Sequence, residues 1–196
     1  MEPIDSVEVR WFFSGDDPRV ELFTARFKVL RATRDDPRED RYRRTGRDDL
    51  GVKVRDASGK QAKLETKTRT AALGAVTLID GVTGVMERWR KEGERVDVTE
   101  ATREGEWVAT RKRRSRLVLP FEDDDLVCAV EWTRVDVERE RWWTFGVEAT
   151  DVEGAPREVL RRACAAVIED ALAVTLAVES SMGYPAWIEA WATRRG

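Results

Sequence analysis

Charged residues recur at every second position in one segment after another, and no other feature restricts the possible folds as strongly. Glu8 and Arg10 alternate with Val7, Val9 and Trp11, and Lys53 and Arg55 alternate with Val52 and Val54. Glu65, Lys67 and Arg69 alternate with Leu64, Thr66 and Thr68. Lys112, Arg114 and Arg116 follow the same rule, and Glu87, Glu131 and Glu148 sit singly in similar runs. Side chains along a strand point alternately to opposite faces, so each run gathers its charges on one face. Several strands with Lys, Arg and Glu on a common face can form a surface for a highly charged ligand.

Alternation alone is symmetric to inversion. An open sheet would turn its apolar face to a core and its charges to water, which is the ordinary reading of any single strand. A closed barrel would instead point the charges into a lumen and the Val, Leu and Trp positions outward under helices. Three observations favour the barrel. The charged face mixes Arg and Lys with Glu where a solvated face often uses Thr, Ser and Gln. The pattern recurs on strands far apart in sequence. A late amphipathic helix supplies cover for an apolar outer face.

Residues 5–13 read as a strand, broken by Ser14-Gly15-Asp16-Asp17-Pro18. Residues 19–31 fit a strand or a short helix equally well. Strands follow at 38–45, 50–56 and 61–69, the last two joined by a hairpin at Asp56-Ala57-Ser58-Gly59-Lys60. The small, glycine-bearing stretch 70–83 reads as a loop. Further strands cover 84–91, 106–119, 126–137 and 138–150, with the acidic turn 121–125 between two of them. From Pro156 the apolar period changes to helical, through Leu160, Ala163, Cys164, Val167, Ile168, Ala171 and Leu172 to about Glu179. Trp187 and Trp191, one turn apart in a short terminal helix, read as core clamps. The expectation is a single domain over 1–196, α+β in class. Barrel strands would occupy 5–150 and helical cover 155–196.

Composition narrows the chemistry. The chain has 196 residues, 41% hydrophobic and 37% charged, against about 25% charged in an average protein. The formal net charge is −3, which argues against a duplex nucleic-acid partner but not against a local basic cavity. There is no histidine, which removes the usual general base and zinc ligand. Cys128 and Cys164 read as buried small hydrophobes rather than a disulfide or a thiolate metal site. No secretory leader and no membrane-spanning apolar stretch is visible, so a cytoplasmic location is expected. If the charges face inward, Arg and Lys outnumber Glu, and crowded cations need a counter-charge. A polyphosphate fits that need. Carboxylates could hold Mg²⁺ or Mn²⁺, hard ions that prefer oxygen.

The ordered series of these runs resembles the CYTH superfamily, the triphosphate tunnel metalloenzymes. That family opens on a Glu-x-Glu-x-Lys strand, and the matching stretch is Ser6-Val7-Glu8-Val9-Arg10. The later strands of the family pattern fall on Lys53-Val54-Arg55, Glu65-Thr66-Lys67, Glu87, Lys112-Arg113-Arg114, Glu131 and Glu148. The resemblance implies an eight-stranded antiparallel tunnel. It implies that Lys53, Arg55, Lys67, Arg69, Lys112 and Arg114 bind phosphate and that Glu65, Glu87 and Glu131 are supporting acids. It makes Glu8, Arg10 and Glu148 catalytic, with Glu8 and Glu148 holding Mg²⁺ or Mn²⁺. The implied activity is hydrolysis of inorganic or organic triphosphates. Two departures stand out. Ser6 occupies the place of the first family glutamate, and Arg10 that of the lysine. They motivate the alternative of a non-catalytic polyphosphate-binding protein. A third reading, ordinary solvated faces, requires these side chains to be exposed.

Overall fold

The alternating runs pair edge to edge into a closed ring. The computed structural model describes residues 2–59, 62–120, 127–150, 154–168 and 173–195. The first strand, β1 (Ile4–Ser14), is followed by helix α1 (Arg19–Val29). Then come β2 (Thr33–Arg34), β3 (Arg38–Arg43), β4 (Leu50–Arg55), β5 (Lys63–Ile79) and β6 (Val82–Arg95). A short helix α2 (Val98–Ala101) leads to β7 (Trp107–Leu119), β8 (Val127–Val137) and β9 (Glu140–Thr150). Helix α3 (Pro156–Ile168), a 3₁₀ turn at Val178–Ser180 and helix α4 (Tyr184–Thr193) complete the chain. The strand order β7-β3-β4-β5-β6-β1-β9-β8 returns to β7 through the β7–β8 pairing, so eight antiparallel strands close a barrel, and β2 adds to the rim of β7. This is the inverted arrangement that the alternation allowed, and the architecture implied by the family resemblance.

Residues 19–31 resolve as helix. Asp17 Oδ1 accepts the Arg19 backbone N–H at 2.9 Å, satisfying one donor of the first turn. Phe23 and Phe27, four residues apart, are buried, while Val29 is 71% exposed. They pack on the outer wall beside Trp132 and Phe145. On the same wall α3 buries Leu160, Ala163, Cys164, Val167 and Ile168. Both cysteines are buried, and they form no disulfide with each other.

Two expectations are corrected. The stretch 70–83 is not a loop. β5 runs on to Ile79, and a tight turn at Asp80-Gly81 returns as β6. Register shifts near Arg69, Ala72 and Thr77 carry the irregular composition, and Gly74 at φ +84° supplies one backbone conformation that a side chain would oppose. The helix from Pro156 does not extend to Glu179. It ends at Ile168 in the described chain, residues 169–172 lie outside the described residues, and Leu176 is in an extended segment that bridges Val82. Val174 and Leu176 are buried at spacing two, which suits an extended segment, and the Leu176 amide and carbonyl bond Gly81 and Thr83. The acidic turn 121–125 also lies outside the described residues.

α4 closes one end of the barrel. Trp187, Ile188 and Trp191 pack into the barrel end with Phe12, Tyr42, Val135 and Val137. Trp187 stacks on Phe12 with centroids 4.8 Å apart. The two tryptophans are core clamps, as their spacing predicts. The lumen is therefore blind at the α4 end.

Candidate functional site

Charged positions fill the lumen above this apolar floor. One cavity of about 110 Å³ is lined by eight basic residues, Arg10, Arg38, Lys53, Arg55, Lys67, Lys91, Lys112 and Arg114. Four carboxylates face them, Glu8, Glu65, Glu131 and Glu148, together with Tyr42, Tyr184 and Thr133. Glu8 is 2%, Arg10 4%, Glu65 3% and Lys112 3% exposed, which excludes the reading of solvated faces. Exposure rises from Lys112, whose ammonium lies 3.5 Å from the Tyr184 ring centroid, to Arg55, whose side chain is 36% exposed. The lumen opens on the Arg55 side.

The acids are held in a network of ion pairs. Glu65 meets Lys53 at 3.0 Å, Arg55 at 3.5 Å and Lys91 at 3.5 Å. Burial pushes its carboxyl up, but these three cations outweigh it and hold it at about 2. Glu131 accepts from Arg114 at 2.6 Å and from Arg10 at 3.4 Å, and against its burial it too is held at about 2. Glu8 lies 2.8 Å from Lys67 Nζ and 3.8 Å from Arg10. Burial acts to raise it, yet Lys67 and Arg10 leave it below the ordinary range. Arg10 also donates to Thr144 Oγ1 at 3.1 Å, and its guanidinium lies across Gly146 of β9, where a Cβ would come within 2.6 Å of Cζ. Glycine at that position makes the room.

Lys112 stands deepest. Its ammonium donates to the Tyr42 hydroxyl at 2.6 Å, with Asp40 at 3.9 Å. Burial drives the lysine well below its usual value and the Tyr42 phenol above its own. Asp40, fully buried, is bonded by Arg38 at 3.0 Å and lies 3.9 Å from Lys53. Against its burial, Lys53, Lys112 and Arg38 hold it well below the carboxylate range.

Of the residues expected from sequence, Glu8, Arg10, Lys53, Arg55, Glu65, Lys67, Lys112, Arg114, Glu131 and Glu148 share this cavity. Arg69 and Glu87 do not line it. They pair with each other at 2.7 Å, and Arg69 also reaches Asp48 at 3.1 Å. Arg38, Asp40, Lys91, Tyr42 and Tyr184 were not expected at the site. The first four carried a readable signal, since Arg38-x-Asp40-x-Tyr42 and Glu87-x-Trp89-x-Lys91 keep the same period of two. Tyr184 comes from α4, and no strand periodicity points to it.

Glu8 is the register partner of both Glu87 and Glu148, so three acidic positions share one level on β6, β1 and β9. Their carboxylates do not gather into a metal centre. Glu8 is engaged by Lys67 and Glu87 by Arg69, and among the described residues no three His, Cys, Asp or Glu side chains converge to hold an ion. The donor set as arranged does not fit a preassembled divalent-cation site. No helix among the described residues is long and apolar enough to cross a membrane.

No protein-family model matches the chain, and no curated protein sequence does. Among solved structures it is similar to a proposed adenylyl cyclase from Hippeastrum described as having a dominant triphosphatase activity. That match has 12% identity and a TM-score of 0.41, covering 83% of this chain and 86% of the other. It is also similar to a proposed adenylate cyclase from Bacillus halodurans, at 12% identity and a TM-score of 0.43 over 90% and 96% of the two chains. The fold described above rests on this chain's own strand pairings.

Proposed function

We propose that this protein binds a short polyphosphate, tripolyphosphate or the triphosphate group of an organic ester, in the blind lumen of its barrel. One observation carries the reading: eight basic side chains converge on a single cavity lined by four carboxylates, with buried Asp40 behind them as a fifth acid. Burying that surplus is unfavourable unless an anion relieves it. Arg forks and Lys ammonium groups match phosphate oxygens. The ligand enters and leaves by the Arg55 side, so its phosphates go down and any organic part stays at the mouth. Phosphate ligation is assigned to Lys53, Arg55, Lys67, Lys112 and Arg114, joined by Arg38 and Lys91. Because cations already occupy Glu8 and Glu87, binding needs no divalent metal.

The test is calorimetric titration with tripolyphosphate in chelator, at low and high salt. Binding that weakens with salt and falls at least tenfold in Lys53→Ala or Arg55→Ala supports the reading. No heat of binding, or binding indifferent to both substitutions, removes it.

A second reading is metal-dependent hydrolysis, with Glu8, Arg10 and Glu148 catalytic and Mg²⁺ or Mn²⁺ on the two glutamates. The shared level of Glu8, Glu87 and Glu148 favours it. It requires phosphate release from tripolyphosphate on adding metal, lost in Glu148→Ala. Absence of release under those conditions leaves binding as the function.

A further inference from the structure

We propose that the outer wall of the barrel carries a second ligand site, where Arg113, Arg134 and Trp143 stand side by side on β7, β8 and β9, and that its ligand is a nucleoside phosphate. Arg113 is the register partner of Arg134, and Arg134 of Trp143. They alternate with the lumen residues Lys112, Arg114 and Thr133, so they belong to the outer face. Lys28 at the end of α1 and Arg34 of β2 close the same groove, a space of about 450 Å³ within the usual range for small-molecule sites.

Like charges directly opposite on neighbouring strands are unfavourable. Here the opposition is relieved on one side only. Arg134 has Asp136 at 2.9 Å, but among the described residues no carboxylate forms an ion pair with Lys28, Arg34 or Arg113. Asp35, the one acid among the described lining residues, is taken by Arg114 at 2.6 Å. The surplus calls for an anion. The indoles say what else the anion carries. Trp143 is half-buried and stacks on Trp132 at 4.8 Å and 17°. Trp132 is 2% exposed and donates from Nε1 to Thr24 Oγ1 at 3.1 Å, which fixes the pair. A rigid indole beside arginine forks suits an aromatic base bearing phosphate.

Among the described lining residues the groove shares only Arg114 with the lumen, and the test separates the two. AMP is titrated while the lumen is saturated with tripolyphosphate, and inorganic phosphate is titrated in parallel. AMP is expected to bind at one further equivalent, at least tenfold tighter than inorganic phosphate. The Arg34→Glu/Arg113→Glu variant, whose sites are exposed, should weaken AMP at least tenfold and leave tripolyphosphate affinity unchanged. Trp143→Phe should weaken AMP and leave inorganic phosphate unchanged. AMP displaced by tripolyphosphate, or indifferent to the charge reversals, overturns the site. AMP binding no tighter than inorganic phosphate overturns the nucleoside. Failure of tripolyphosphate to bind would strike the lumen reading alone, since AMP can then be titrated without it.

Discussion

Lys67 Nζ sits 2.8 Å from Glu8 Oε2 and 5.1 Å from the Trp89 ring centroid, so a protein cation occupies the carboxylate that the family pattern gives to a metal. Removing the lysine changes what Glu8 sees. Glu87 and Glu148 are its register partners, and Arg10 at 3.8 Å would be the one cation left beside Glu8, with Arg69 held by Glu87 at 2.7 Å. Lys67→Ala should therefore acquire a divalent-cation site. In thermal unfolding, 5 mM Mn²⁺ should raise the midpoint of the variant by several degrees and leave the wild type unmoved. A stabilisation of 1 kcal/mol corresponds to about 2–4 °C for a chain of this size. An equal rise in the wild type would show that the site is already open.

The acid network gives stability a definite pH dependence. Glu65 and Glu131 are each held at about 2, against ordinary values near 4.5. Folded values below unfolded ones stabilise the protein fully above about pH 4.5, and that stability is lost as pH falls towards 2. At one pKa unit per 1.36 kcal/mol, each group should lose on the order of 2 kcal/mol between neutral pH and pH 3. Glu87 opposes the trend, because burial raises it and its protonation favours the fold. Urea unfolding at pH 7 and pH 3 should show a net fall of a few kcal/mol, with a shallower slope in Glu65→Gln. A flat profile would contradict the ion pairing.

The barrel was legible in the sequence because burial on one face selects residues at a strict spacing of two. Glu8 and Arg10, Lys53 and Arg55, and Lys112 and Arg114 all kept that spacing, and all reached the lumen. Closure could not be read from period alone, since an inverted sheet has the same pattern. It follows from the β7–β8 pairing, a contact between chain segments on either side of residues 121–126. Arg69 kept the period and still left the cavity, because the irregularity between Arg69 and Ala71 turns β5 and lets Arg69 pair with Glu87 and Asp48. The stretch 70–83 reads as a loop in sequence for the same reason. Bulged strands dilute alternation with Ala and Gly, which imitates a loop. The helical reading runs on past Ile168 because Ala171 and Leu172 continue the apolar stripe in sequence, whereas Val174 and Leu176 are buried at the spacing of an extended segment that packs on β6.

Lys112 is a buried charge whose removal separates stability from binding. Its side chain is 4% exposed among Tyr42, Tyr184 and Asp40, and burial pushes its pKa well below the usual lysine value. Asp40 keeps Arg38 and Lys53 when Lys112 is lost. Lys112→Met retains the volume without the desolvated charge, so it should unfold at the same temperature as wild type or higher. Tripolyphosphate affinity should nevertheless drop at least tenfold. Destabilisation of 3 kcal/mol or more would mean that the lysine is a structural partner of Asp40 instead.

Gly146 gives Arg10 its place. A methyl group there would lie 2.6 Å from Cζ and 2.7 Å from Nη1, too close for the guanidinium to stay across β9. Arg10 is held by Thr144 and Glu131, so the clash cannot be relieved by a small rotation without losing one of those bonds. Gly146→Ala should cost about 1–3 kcal/mol, the usual range for overpacking. It should also weaken tripolyphosphate more than Gly154→Ala, which meets no atom within 4 Å. Equal affinities in the two variants would show that the placement of Arg10 does not bear on ligand binding.

The blind end of the lumen depends on Trp187. Its ring is 2% exposed, stacks on Phe12 at 4.8 Å and meets Trp142 edge-on at 5.8 Å. Truncation leaves a cavity directly beneath Tyr184, whose ring supports both Lys112 and Arg10. Trp187→Ala should therefore lose about 3–5 kcal/mol of stability, as large core deletions do. Where the variant is still folded, as judged by circular dichroism at low temperature, tripolyphosphate binding should weaken because the two deepest cations lose their platform. A second substitution controls for the loss of stability itself. Leu160→Ala removes a buried side chain of α3 on the outer wall, far from the floor, and should destabilise by a comparable 2–5 kcal/mol. If Leu160→Ala reduced affinity as much as Trp187→Ala, the plug would act only through global stability and not by supporting the site.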